Sequence, residues 1–160
     1  MTLKQRTIGV IRGVLIDHAR FLVALLYGDI WCLRLRCLKS KHGFRHVLYY
    51  CYFEACSSWI GTGTRFADIP IFPHGLRGVF ISTHAEIGRN CTIYQNVTIG
   101  SNGGGAPIIG NDVLIGAGAV VIGPIKIGDG VKIGAGATVA KDVLQGQTVV
   151  ACPMRVISHG

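Results

Sequence analysis

Charge is scarce in this sequence, and it is unevenly distributed. Asp, Glu, Lys and Arg make up 15% of the 160 residues, against about 25% in typical soluble domains. A disordered chain needs high charge and low hydrophobicity, so the 49% hydrophobic content excludes that class. Residues 1–45 hold nine Lys/Arg and two Asp/Glu, and residues 46–160 hold seven and six. The first segment therefore carries +7 of the net charge of +8.

Long apolar runs and paired cysteines are also missing. The longest apolar runs near the N-terminus, 21–28 and 47–53, are shorter than the roughly 20 residues that span a bilayer. No small-residue cleavage site follows the basic start, so we expect no secretory signal and a cytoplasmic protein. The six cysteines form no CxxC pair, which favours reduced structural thiols over a zinc site or a disulfide framework.

Glycine, by contrast, is abundant and clustered. Nineteen of the 23 glycines follow residue 60. Glycine costs about 1 kcal/mol per helical position relative to alanine, which disfavours a helical bundle for that part. The glycines do not fall at every third position, which excludes collagen. We therefore predict two parts: a basic helical segment over 1–58 and a glycine-rich domain over 59–157.

An aliphatic residue recurs every six positions in the second part. The ten positions are Ile81, Ile87, Ile93, Ile99, Ile109, Ile115, Val121, Ile127, Ile133 and Val139. Two residues before most of them stands a small or aliphatic residue, which on a strand points to the same face. These are Ala85, Cys91, Val97, Val113, Ala119, Ile125, Val131 and Ala137. The three residues after each position are rich in Gly, Asn and Asp, which tolerate the positive φ of tight corners.

A short strand and a turn every six residues are typical of a parallel β-helix. The turns of a β-sandwich fall every 8–12 residues instead. A weaker pattern upstream, through Gly63, Ile69 and Gly75, predicts about five three-sided coils. Between Ile99 and Ile109 four extra residues lie within 101–107. Because insertions in a solenoid form loops on one face, we expect Gly103 to Gly105 to approach a substrate.

The first segment has helical periodicity. Its apolar positions within 7–27 are Ile8, Ile11, Leu15, Phe21, Leu22, Leu25 and Leu26, and a second, aromatic-rich stretch covers 45–57. We predict two or three amphipathic helices, with breaks at 28–29 and 41–43. They either cap the solenoid or an oligomer interface, or dock residues 1–45 at the inner membrane surface, because basic amphipathic helices favour anionic interfaces. We expect no nucleic acid partner, since no known motif accompanies the basic patch.

Histidine supplies the candidate for chemistry. Only His74 and His84 lie in the repeat region, and His74 stands between Pro73 and Gly75, just before the regular coils. With a pKa near 6.5, histidine can remove a proton from a hydroxyl at neutral pH. The alternative is a structural histidine in a turn.

The region from His74 to Ile157 resembles the hexapeptide-repeat acyltransferases, in their serine acetyltransferase-like branch. The resemblance is carried by PHGLRGVFIS (73–82), AEIGRNCTIYQNVTIG (85–100), APIIGNDVLIGAGAVVIGPIKIGDGVKIGAGATVAKDV (106–143) and TVVACPMRVI (148–157). It implies a left-handed parallel β-helix that forms homotrimers and takes acetyl-CoA in the groove between adjacent subunits. It also implies direct transfer of the acetyl group to a hydroxyl, with no metal and no covalent enzyme intermediate.

The resemblance also assigns residues. His74 matches the catalytic histidine, and His84 matches an exposed, structural turn position. The positions that match acyl-CoA contacts are Gly100, Ser101, Ala117 and Ala135, where small side chains let a pantetheine arm lie along the coil edge. Lys141 and Arg155 match basic positions near the nucleotide phosphates, with solvated surface charge as the alternative.

The sequence differs from the branch at the positions that would hold a serine substrate. No acid occurs at 57–61, where an aspartate would orient the histidine, so we consider Asp68 as a substitute. Pro73 replaces the aspartate before the histidine, and Gly105-Ala106 replace an Arg-His pair. The helical domain of the branch is not recognisable. Because a serine site needs charges paired with the carboxylate and ammonium, these departures favour another acceptor.

The sequence leaves four candidate functions. The first is O-acetylation of a sugar hydroxyl in a polysaccharide or its precursor, with His74 as general base and a turn N–H stabilising the oxyanion. The second is serine O-acetylation in cysteine synthesis. The third, a metal-dependent hydratase like the γ-type carbonic anhydrases, needs three histidine ligands, which the repeat region does not offer. The fourth is a non-catalytic β-helix scaffold.

Overall fold

The computed structural model describes residues 18–19, 23, 26, 30–38 and 43–152 of the chain. Within these residues, helices α1 (Ile30–Leu38) and α2 (Phe44–Ala55) precede thirteen short strands. The strands are β1 Trp59–Ile60, β2 Arg65–Phe66, β3 Phe80–Ile81, β4 Glu86–Ile87, β5 Thr92–Ile93, β6 Thr98–Gly100, β7 Ile108–Ile109, β8 Leu114–Ile115, β9 Val120–Ile122, β10 Lys126–Ile127, β11 Lys132–Ile133, β12 Thr138–Val139 and β13 Thr148–Val149.

The strands stack into three parallel sheets. Sheet 1 has the order β1-β3-β6-β9-β12, sheet 2 has β2-β4-β7-β10, and sheet 3 has β5-β8-β11-β13. Single bridges from Ile71 to Thr92 and from Val143 to Ile127 complete sheets 3 and 2. The chain thus winds through sheets 1, 2 and 3 in turn and returns to sheet 1. The five strands of sheet 1 mark five stacked coils, as the repeat predicts.

The aliphatic ladder predicted from the period of six forms the core. All ten ladder positions are at most 4% exposed, and the eight small or aliphatic residues that precede them are at most 6% exposed. Registered pairs such as Ile81 with Ile99 and Ile99 with Val121 place one ladder residue directly over the next. Since burying one such side chain contributes about 1.5–3 kcal/mol, this column is the main source of stability.

The corners adopt the backbone shape that their residues predict. We call the corner between sheets 1 and 2 corner I, that between sheets 2 and 3 corner II, and that between sheets 3 and 1 corner III. At the three-residue corners II and III the last residue has a positive φ, for example 53° for Asn90, 56° for Asp112, 68° for Gly118 and 66° for Gly130. Gly, Asn and Asp are the residues that enter this region most readily.

Upstream, the register of the ladder differs from the prediction. Ile69 is 53% exposed and does not belong to the core. The first coil instead uses Ile60, Phe66 and Phe72, which also repeat every six residues; Ile60 is buried and the two phenylalanines pack partly buried against the core. From Phe72 to the next ladder residue, Ile81, the spacing is nine. Three extra residues therefore lie at corner III, and this enlarged corner contains His74.

The second interruption is a small hairpin at corner I. Asn102 and Gly105 form an antiparallel bridge with reciprocal backbone hydrogen bonds of 2.9 and 3.0 Å. The side-chain oxygen of Asn102 accepts from the N–H of Gly104 at 2.9 Å. The insertion predicted within 101–107 is therefore a compact hairpin that leaves the ladder on either side undisturbed.

The two helices cover the first coil. Arg34 of α1 is 6% exposed, and its Nη2 donates to the carbonyls of Gly61, Thr62 and Thr64. Its guanidinium lies 4.9 Å from the ring centre of Phe66. The hydroxyl of Tyr49 in α2 donates to the carbonyl of Ile60 at 2.9 Å. Burial lowers the pKa of Arg34 and raises the pKa of Tyr49.

These contacts agree with the cap interpretation of the first segment. The helix predicted over 7–27 lies mostly outside the described residues; within it, Ala19 and Val23 are helical and buried, and Leu26 is helical but 50% exposed. In the described part of the chain, none of the helices has the length and apolarity to cross a membrane. Most of the segment proposed for membrane docking, 1–45, lies outside the described residues.

The first prediction concerns the close stacking of corners. A Cβ added at Gly88 would lie 2.4 Å from the carbonyl oxygen of Gly110, a backbone atom, whereas one at Gly103 would meet nothing within 4 Å. Gly88→Ala should lower the free energy of unfolding by about 2 kcal/mol or more, and Gly103→Ala should change it by less than about 0.5 kcal/mol. Urea denaturation of both variants measures the difference, and equal effects would contradict the stacking.

The second prediction concerns Arg34. Arg34→Ala leaves three carbonyls of the first coil without their donor and should lower the free energy of unfolding by on the order of 2 kcal/mol. Lys132→Ala, which removes an exposed cation from the regular coils, is the matched control and should change it by less than about 0.5 kcal/mol. A variant at Arg34 as stable as the control would show that the guanidinium does not hold the cap.

Candidate active site

His74 lies exposed at corner III of the first coil. The corner runs from Phe72 to Val79, and three features shape it: Pro73 precedes the histidine, Gly75 has a φ of 70°, and Gly78 has a φ of 65°. The N–H of Gly75 donates to the carbonyl of Phe72 at 2.9 Å, which closes a tight turn around His74. The turn therefore holds the histidine out from the coil.

The imidazole contacts two adjacent residues of the next coil. Its Nδ1 lies 2.6 Å from Oε1 of Gln95, and its ring centre lies 5.5 Å from that of Tyr94, with an edge-to-face angle of 82°. Asp68, considered from the sequence as the orienting acid, is not among these contacts. Its carboxylate accepts from the N–H of Ile69 at 2.7 Å. A neutral amide thus occupies the position next to Nδ1.

An open cleft of about 550 Å³ surrounds His74. The C-terminal turn of α2 forms one wall, through Tyr52, Cys56 and Ser57, and corner III forms the other. Arg77 is the one lining residue with a permanent charge, and it is exposed. The cleft therefore offers a base and a cation within one concave surface of helix and coil.

Ala117 and Ala135 lie on the same corner as His74, one and two coils beyond Gln95. Backbone hydrogen bonds join them in a row: Gly118 N–H donates to Gln95 at 3.0 Å, and Gly136 N–H donates to Ala117 at 2.9 Å. A Cβ added at Gly118 or Gly136 would meet nothing within 4 Å. This edge is thus an open, uncharged strip.

The other predicted donor positions lie on corner I, across sheet 1. Gly100 ends β6, Ser101 is exposed beside it, and Lys141 is exposed two coils further on. Corner III precedes each strand of sheet 1 and corner I follows it. A single chain therefore does not bring these residues together with His74. Arg155 lies outside the described residues.

A second, larger cleft of about 930 Å³ separates the two corners. Its walls are α2 and the outer face of sheet 1, and it shares Ser57 with the His74 cleft. The rings of Tyr50 and Trp59 stack in it at 4.9 Å and 2°. Both rings are about two-fifths exposed, at 39% and 41%, and Phe80 beside them is 46% exposed.

The sequence predicts His74 as a candidate catalytic residue but does not predict which residues surround it. Gln95, Tyr94 and Arg77 were not singled out, although the spacing of nine between Phe72 and Ile81 could have indicated that 73–78 overlies 94–96. His84 is exposed at corner I, as predicted. Among the described residues, no three His, Cys, Asp or Glu side chains form a group that could hold a metal ion.

Comparisons with known proteins agree with the repeat. Residues 106–141 match the bacterial transferase hexapeptide family (six repeats). The chain is 47% identical over 93 residues to a serine acetyltransferase of Mycobacterium tuberculosis, which covers 56% of this chain and 41% of the relative. Over 132 residues it is 39% identical to a serine acetyltransferase of Bacillus subtilis, covering 72% of this chain and 60% of the relative. The chain thus spans about two-fifths to three-fifths of the length of these curated relatives.

Solved structures share the fold. Serine acetyltransferase from Brucella abortus superposes with a TM-score of 0.69 at 29% identity, covering 80% of this chain and 53% of that one. Soybean serine acetyltransferase complexed with serine gives 0.68 at 33% identity, covering 91% and 57%. The prediction of a left-handed parallel β-helix preceded by short helices is confirmed. In its repeats, its sequence relatives and its fold, the chain is similar to the hexapeptide-repeat acyltransferases of the serine acetyltransferase-like branch.

Proposed function

We propose that the chain transfers an acetyl group from acetyl-CoA to a hydroxyl group, with His74 as the general base. The observation that carries the proposal is the placement of His74: it stands in a cleft, exposed, at the head of the uncharged strip formed by Ala117 and Ala135. A donor whose pantetheine arm lies along this strip ends beside the imidazole. Small residues and open backbone amides at a coil edge suit such an arm better than charged side chains do.

The proposed reaction uses Nε2, the ring nitrogen of His74 that Gln95 does not contact. In the described part of the chain, Nδ1 is engaged by Gln95 and Nε2 has no protein partner. Nε2 takes the proton of the acceptor hydroxyl as the oxygen forms a bond with the acetyl carbonyl carbon. A turn N–H stabilises the oxyanion. The carbon–sulfur bond then breaks, and the histidine returns its proton to the departing thiolate.

Serine is the acceptor that the comparisons support best. The relatives and solved structures described above are serine acetyltransferases, and the soybean structure contains serine. In this chain Arg77 could pair with a carboxylate, since it is exposed in the His74 cleft. An arginine–carboxylate pair is strong and directional. Arg77 would therefore supply the positive charge for the serine carboxylate that is missing at Gly105-Ala106.

A sugar hydroxyl is the second candidate, and one observation favours it. The stacked rings of Tyr50 and Trp59 form an exposed aromatic surface in a cleft that shares Ser57 with the His74 cleft. Concave surfaces lined mainly by apolar and aromatic side chains with a few polar groups are typical of small-molecule sites. The weak charge around His74 also suits a neutral acceptor.

We further propose that the enzyme is a homotrimer with acyl-CoA sites between subunits. The support is the division of the predicted donor positions between two corners. Ala117 and Ala135 lie on corner III with His74, whereas Gly100, Ser101 and Lys141 lie on corner I. In a trimer of parallel β-helices, corner III of one subunit can face corner I of the next, and one donor would then touch both sets. We include Arg155 in this proposal as a residue that contacts the nucleotide phosphates of the donor.

The third prediction tests the base. His74→Ala should reduce kcat/KM for acetyl transfer by about 10²–10⁴-fold, because general base catalysis contributes that much. His84→Ala is the matched control: it removes an exposed histidine one coil away and should leave the rate unchanged. Thiol release from acetyl-CoA is followed with serine, simple sugars and nucleotide sugars as acceptors. Full activity of the His74 variant would rule out the mechanism.

The fourth prediction separates the two acceptors. Arg77→Met should raise the KM for serine by about tenfold or more, since a charge-assisted hydrogen bond contributes about 1.5–3 kcal/mol. Activity toward a neutral sugar should not change. Arg89→Met removes an exposed arginine at corner II and should affect neither acceptor. If serine is acetylated equally well by both variants, Arg77 does not hold its carboxylate.

A further inference from the structure

We propose that Gln95 is a positioning residue that holds His74 in the tautomer with the proton on Nδ1. The inference deepens the proposed function, because it concerns the same histidine. It rests on the approach of the Gln95 Oε1 to Nδ1 at 2.6 Å. An amide oxygen only accepts hydrogen bonds, so at this distance Nδ1 must carry the hydrogen. The lone pair is then on Nε2, where a base needs it.

The backbone at Gln95 is anchored by the coils on both sides. The carbonyl of Gln95 accepts from the N–H of Gly118 in the third coil at 3.0 Å. The N–H of Asn96, which has a φ of 58°, donates to the carbonyl of Arg77 in the first coil at 2.9 Å. The rings of Tyr94 and His74 pack in an edge-to-face arrangement. The backbone that carries Gln95 therefore cannot shift without breaking the corner stack.

The group that contacts Nδ1 of His74 is an uncharged amide. A carboxylate at the same place would stabilise the imidazolium, whereas an amide oxygen orients the ring without adding a charge. The other titratable or charged groups that line the cleft are Tyr52 and Cys56 from α2 and Arg77 from corner III, together with Tyr94 on the ring edge. Among these lining and contacting residues there is no acid, so the partner of Nδ1 is uncharged.

This arrangement predicts different effects for two substitutions of Gln95. Gln95→Leu removes the acceptor, so the imidazole loses its preference for the Nδ1–H form, and kcat should fall by about 10²-fold. Gln95→Glu keeps an acceptor and adds a negative charge beside Nδ1. The carboxylate favours the protonated ring, so the acidic limb of the kcat/KM profile should move to higher pH by about one unit or more.

The tautomer is read directly by ¹⁵N–¹H NMR of the histidine side chains, with His74→Ala to assign the signals. In the wild-type protein above the pKa of the ring, we expect the Nδ1–H pattern for His74, retained in Gln95→Glu and lost in Gln95→Leu. Gln145→Leu, at corner II, is the matched control and should retain it. Thermal unfolding of each variant verifies the fold.

Two outcomes would overturn the proposal. One is an Nε2–H pattern in the wild-type protein, which would mean that the amide nitrogen of Gln95 faces the ring. The other is an unchanged pattern in Gln95→Leu. The NMR measurement needs no turnover, so it gives its answer even if no acceptor is acetylated. Absence of acetyl transfer would therefore contradict the proposed function and leave the role of Gln95 standing.

Discussion

The parallel stacking of coils in register is the constraint on which the rest of this structure depends. Each strand lies directly on the equivalent strand of the next coil, so ladder residues meet ladder residues and corner backbones meet corner backbones. The first contact favours Ile or Val, and the ten ladder residues from Ile81 to Val139 are all at most 4% exposed. The second leaves no room for a Cβ at positions such as Gly88 and Gly110. Low charge and abundant glycine are both consequences, and extra residues are accommodated only at corners.

That constraint also explains what could be predicted from the sequence. The ladder from Ile81 to Val139 was predictable because a period of six has few other structural explanations. The first coil was misplaced at Ile69 because its ladder continues through Phe66 and Phe72, which an aliphatic pattern does not include. His74 came from a resemblance and not from periodicity. Gln95 could not be found from a motif, because its contact with His74 depends on which corner overlies which across a spacing of nine residues.

The interrupted corners are where the fold can acquire chemistry. A regular corner is held by the corners above and below it, so its side chains are separated from one another by fixed distances. The three extra residues at corner III free His74 from this stack, while the backbone of Gln95 and Asn96, one coil further on, is held by hydrogen bonds with Gly118 and Arg77. An imidazole on an enlarged corner thus contacts an amide oxygen on a regular one. The rigidity comes from the solenoid, and the exposure comes from the insertion.

The absence of an acid beside His74, among the described residues that contact it, bears on the acceptor. A site that lacks an orienting carboxylate gains nothing from electrostatic stabilisation of the imidazolium, so its rate depends on the geometry of the ring and of the hydroxyl. With Trp59 and Tyr50 stacked beside the cleft and Arg77 its only permanent charge, the acceptor must be placed by one cation, by aromatic surface, or by both. A serine would use the cation through its carboxylate, and a sugar would use the rings. In the proposed reaction the two acceptors therefore depend on residues of two adjoining clefts and share His74 as the base.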